Sequence, residues 1–164
     1  MADEPLQILA RLLATRKVAA LGTLHEDAPY VSLVPFALTP DGGGVLVHVS
    51  QLAAHTRHMS AHPRVSLLVA GAEDASANPL ATPRVTLQGL AREVAASDAE
   101  AAVCRATYVK RFPSSAAMFS FGDFRLFRIE AQSVRFVAGF AQAADLPVAV
   151  FAQIARGAAG LGDA

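Results

Sequence analysis

The chain has 164 residues with 14 basic and 14 acidic side chains, so it carries no global positive field for a nucleic-acid backbone. Hydrophobic residues make up 53% and charged residues 17%, enough for one buried core with apolar surface left over for a partner subunit. No apolar run approaches the roughly 20 residues of a membrane span, and the acidic start at Asp3 and Glu4 is unlike a secretory signal. The single cysteine, Cys104, rules out an internal disulfide. These features predict one cytoplasmic domain over residues 1–164, with Cys104 buried as a small hydrophobe.

The spacing of Leu6, Leu9, Ala10 and Leu13 predicts an amphipathic helix over 5–16, closed by Arg16 and Lys17. Apolar runs at 18–24 and 30–38, separated by the polar 25–29 turn, predict a hairpin. Its second strand is apolar on both sides, which predicts cover on both faces. Asp41 and three glycines make a tight turn before a strand at 45–49. A short helix with Leu52, Thr56 and Met59 on one face is expected before Pro63, then a strand at 65–70 and a loop over 71–83. Val85, Leu87, Gly89 and Ala91 alternate with polar or larger residues in the clearest strand of the chain. Ser97 and Glu100 form a capping box for a helix reaching about Lys110. The last strand, 124–137, shifts its apolar phase near Ser133, which predicts a bulge. The 145–164 tail is rich in Ala and Gly, with 148–154 free to dock as strand or helix and 157–164 expected to be flexible. The fold class is mainly β: an antiparallel barrel with peripheral helices.

Chemistry concentrates where one strand runs into a helix. His48, Ser50, His55, Thr56 and Arg57 gather hydroxyls, imidazoles and a guanidinium near free helix N–H groups, a combination suited to a phosphate. The same residues also suit a simple helix cap with a solvated arginine. His48 lies on the opposite side of its strand from Val45, Val47 and Val49, where it would line a cleft or sit hydrogen-bonded in a core. His55, His58 and His62 share roughly one helical face, but no carboxylate or thiol lies near them in sequence, so no metal site is expected. Arg84 and Arg92 end the alternating strand, either as phosphate partners or as edge charges. There is no nucleophile elbow, phosphate-cradling loop or dinucleotide fingerprint, and no catalytic residue is assigned.

The runs APYVSLVPF at 28–36, HVSQLAAHTR at 48–57, HPRVSLL at 62–68 and RVTLQG at 84–89 resemble the pyridoxamine 5′-phosphate oxidase-like FMN-binding split barrel. Within it, His55-Thr56-Arg57 and the closing VRFVAGF at 134–140 resemble the branch of HugZ-type haem-utilisation proteins. The resemblance implies a Greek-key barrel that binds FMN at a homodimer interface. It implies that Ser32, Leu33 and Val34 run beside the flavin, flanked by His48, Val49 and Ser50. His55 stands where relatives often carry a phosphate-binding lysine, so Arg57, with Thr56, would supply much of the neutralising charge. Arg84 matches a strand position that reaches the cofactor in relatives.

The basic and aromatic C-terminal signature of vitamin B6 oxidation is absent, and no histidine follows His62 to serve as the axial ligand that haem-degrading relatives draw from their C-terminal region. The expectation is therefore an FMN-dependent oxidoreductase acting on a small-molecule substrate. The alternatives are a non-catalytic flavin- or haem-binding protein related to haem utilisation, and a barrel that holds deazaflavin or haem in place of FMN.

Overall fold

The computed structural model describes residues 3–73 and 78–161. Helix α1 (Asp3–Thr15) leads into strands β1 (Val18–His25), β2 (Ala28–Pro35), β3 (Ala37–Leu38) and β4 (Gly44–Ser50). Helix α2 (Ala54–Ala61), β5 (Arg64–Ala70), β6 (Arg84–Glu93) and helix α3 (Ala101–Arg111) follow. A 3-10 segment, Pro113–Ser120, precedes β7 (Phe124–Gly139), β8 (Gln142–Leu146) and helix α4 (Val148–Leu161).

The strands form one antiparallel sheet in the order β2-β1-β5-β6-β7-β4-β3, with β8 on β7. This is the antiparallel half-barrel with peripheral helices that the sequence predicts. Its concave face holds the main core: Leu21 from β1, Val34 from β2, Val45 and Val47 from β4, Leu67 from β5, Leu87 from β6 and Ile129 from β7. Leu9 and Leu13 of α1 and Phe151 and Ala155 of α4 close that core. A second cluster lies on the other side of β4, where Leu46 meets Ala37, Leu126, and Cys104 and Tyr108 of α3. β4 is thus covered on both faces, and Cys104 is buried as expected.

The apolar phase shift of the last strand is a bulge. Gln88 pairs with Ser133 and Gly89 with Ala131, which leaves Gln132 as the extra residue on β7. Gly89 makes the close approach possible, because a Cβ there would overlap the carbonyl oxygen of Glu130.

Four expectations need correction. β2 is not covered on both faces: as the edge strand it leaves Val31 66% and Leu33 69% exposed. Leu52 lies outside α2 and is exposed, because the chain turns at 51–53 before the helix begins. The capping box does not form: α3 begins at Ala101, and the Glu100 carboxylate pairs instead with Arg92 and Arg128. The tail is ordered further than expected, as residues 157–161 continue α4, whose Phe151 and Ala155 are buried in the core. The 71–83 loop falls partly outside the described residues, and its described part includes a 3-10 turn at Pro79–Ala81.

Candidate functional site

The 50–57 segment folds as a self-bonded turn. The Ser50 hydroxyl accepts from the Leu52 N–H at 3.2 Å, and Thr56 Oγ1 donates to the Ser50 carbonyl at 2.6 Å. Arg57 donates to the Leu52 carbonyl at 2.8 Å. The donors expected to hold a phosphate therefore close the connection between β4 and α2. Arg84 is engaged in the same way, donating to the Thr82 carbonyl at 3.0 Å and the Leu80 carbonyl at 3.4 Å, which pins the 3-10 turn beside it. Arg92 is held by Glu100 and Asp98.

The remaining predicted residues divide by face. Val34 and Val49 are core residues, and Leu33 points outward from β2. Ser32 lies on the concave side with Val34, and its Oγ is buried with no hydrogen-bond partner. His48 points away from the barrel into the α3 cap, where it stacks on Phe119 with ring centroids 3.8 Å apart. It therefore does not converge with Ser32 and Val34 on the concave side.

A different group converges where α2 crosses the β1–β2 hairpin. Pro63 ends α2 just before β5, and the helix packs back on β1 and β2 with His58 and Met59 buried. His58 Nδ1 lies 3.0 Å from the Thr23 hydroxyl, which donates to the Tyr30 carbonyl at 3.4 Å. The exposed His25 ring stacks on His58 at 4.9 Å, and Tyr30 meets the same imidazole edge-on at 5.2 Å. Burial, and then the charges of His25, Arg57 and His62, lower the His58 pKa; burial and His58 lower that of His55. Four of the five histidines are thus electrostatically coupled around His58, and burial favours the neutral form of His55 and His58.

Sequence reasoning missed this cluster. Register would have placed His25, Thr23 and Tyr30 on one side of the hairpin, but nothing local shows that α2 folds back across it.

Residues 7–138 match the pyridoxamine 5′-phosphate oxidase family. The chain belongs to that family. It falls in the haem-related, HugZ-like branch, as its relatives show. It is 40% identical over 120 residues to the non-canonical heme oxygenase HOZ, chloroplastic, of Arabidopsis thaliana, which covers 73% of this chain and 35% of that protein. The chain therefore spans about a third of HOZ. It is 30% identical over 130 residues to heme oxygenase HutZ of Vibrio cholerae, covering 78% of this chain and 73% of HutZ. Among solved structures, a heme binding protein from Mycobacterium smegmatis superposes with a TM-score of 0.78 at 29% identity, over 91% of this chain and 60% of that one.

The split-barrel expectation holds, but the expectation of an FMN-dependent oxidoreductase is overturned. The relatives carry haem names.

Proposed function

We propose that this chain is the haem-binding barrel of a haem-handling protein. The observation that carries the reading is the stacked His25–His58 pair beside the exposed edge strand β2. Among the described residues no three histidine, cysteine or carboxylate groups are placed to hold a bare metal ion. Iron in a porphyrin needs only one or two ligands from the protein, and an exposed imidazole such as that of His25 is such a ligand. The Thr23 hydroxyl, 3.0 Å from His58 Nδ1, fixes the orientation of that ring. The residues present therefore fit haem: His25 or His58 toward the iron, Tyr30 and β2 toward the apolar ring, and Arg57, whose charge reaches His58, as a cation for a propionate. Bound haem would supply an iron centre able to bind oxygen. The names of both sequence relatives extend the proposal to haem degradation.

A homodimer completes the reading. Val31 and Leu33 register with Gly22 and Ala20 on β1, these with Ser66 and Leu68 on β5, and these with Gln88 and Thr86 on β6. The outward face of four strands is therefore a continuous, largely uncharged patch, and a second copy laid on it would wall the β2 edge. The proposal places the protein in the cytoplasm. No helix among the described residues is long and apolar enough to cross a membrane.

Titration with hemin tests the reading. A saturable Soret band is expected, with affinity falling at least tenfold in His25→Ala and His58→Ala. Loss of that band on adding ascorbate in air would support degradation. Purification with flavin absorbance near roughly 450 nm and no response to hemin would overturn the proposal.

A further inference from the structure

The cap outside the barrel contains a cavity that the hairpin cluster does not use. Helix α3, the Pro113–Ser120 segment and the start of β7 line an open groove of ≈ 660 Å³ against the outer side of β4. That volume lies within the range of small-molecule pockets. The space exists because α3 presents short side chains, Ala102 and Ala106, where larger ones would fill it. One wall is aromatic: Phe119 stacks on His48 with an interplanar angle of 7°, and the Arg105 guanidinium carbon lies 4.9 Å from the Phe119 centroid.

Two guanidiniums line the cavity in different electrical states. Arg125 is tied to Glu93 at 3.2 Å. Arg105 pairs with no carboxylate among the described residues. Burial and the nearby Arg105 charge hold His48 down to about 4, so it adds no charge at pH 7. The cavity thus offers one uncompensated cation beside an aromatic ring and an alanine wall.

We propose that this cavity binds a small organic monoanion, a carboxylate with an aromatic or branched apolar body. The carboxylate sits on Arg105, and the body lies against Phe119 and the alanines of α3. A guanidinium forms a bidentate pair with a carboxylate, and the exposed Arg105 presents its fork at the mouth of the groove. A phosphate dianion fits less well, because Glu93 faces the same space and only one cation is uncommitted. The site is distinct from the haem proposal, since His48 marks the opposite side of β4 from the barrel core.

Calorimetric titration of the intact protein with 2-naphthoate tests it. Saturable binding is expected, weakened at least tenfold in Arg105→Gln and in Ala102→Phe, with neutral 2-naphthamide weaker by a similar factor. Circular dichroism checks that both variants fold, and Ala106→Leu fills the same space if Ala102→Phe does not. No saturable heat, or heat unchanged in Arg105→Gln and the filled variant, overturns the proposal. The His25→Ala variant is expected to bind 2-naphthoate normally, and Arg105→Gln to keep its hemin response. Loss of hemin binding on filling the cavity would merge the two sites and overturn the assignment of a separate one.

Discussion

Acid is expected to destabilise this fold through His48, and the size of the effect follows from its surroundings. The imidazole is 7% exposed, stacked on Phe119 and beside the Arg105 charge, and burial followed by that charge lowers its pKa from 6.5 to about 4. A lowered histidine pKa means that the unfolded chain binds the proton more readily than the folded one. Stability is therefore unaffected well above pH 6.5 and is lost as the pH falls from 6.5 toward 4. At pH 5 the unfolded histidine is almost fully protonated while the folded one is almost fully neutral, a difference of about 1–2 kcal/mol after allowing for solvent screening. His48→Phe keeps a stacking ring in the same place and removes the titration. Urea unfolding of both proteins at pH 7.5 and pH 5 reads the effect, because His55 and His58 titrate equally in each. The wild type is expected to lose about 1–2 kcal/mol more than the variant between the two conditions. Parallel losses would refute the argument and show that folded His48 accepts a proton freely.

Three further outcomes follow from the geometry. Leu33→Glu puts a charge at the exposed β2 edge of the outward β2–β1–β5–β6 patch and is expected to shift the proposed dimer to monomer, read by light scattering. Ala141, at the turn between β7 and β8, has φ of 59°, so Ala141→Gly should raise stability by about 0.5–1 kcal/mol in chemical denaturation. Arg128 has a 12% exposed side chain and bridges Asp41 at 2.5 Å and Glu100 at 3.1 Å. Burial raises the Asp41 pKa, but hydrogen bonds from Arg128, Thr39 and the Gly43 N–H outweigh it and hold the group at about 2. Stability from Asp41 is thus present above pH 3.8 and lost as the pH falls toward 2. Arg128→Met is expected to cost about 1–2 kcal/mol at neutral pH and to raise the Asp41 pKa, followed by NMR titration.

Elements that depend on local patterning were legible in the chain. The alternation of β6 and the helical spacing of α1 name their buried faces directly, and the phase change near Ser133 marks the bulge within one residue, because side-chain period follows from backbone geometry alone. The family runs also carried the split barrel. The local bonds of Ser50, Thr56 and Arg57, which close the turn between β4 and α2, were not legible, since sequence displays donors without their partners. The convergence of His25, Tyr30 and His58 was decided only by α2 folding back over a hairpin some thirty residues earlier. The α3 cavity likewise depends on which face of a helix meets β4 and on how far its alanines stand from Phe119, distances that arise from packing between remote segments and have no local signature.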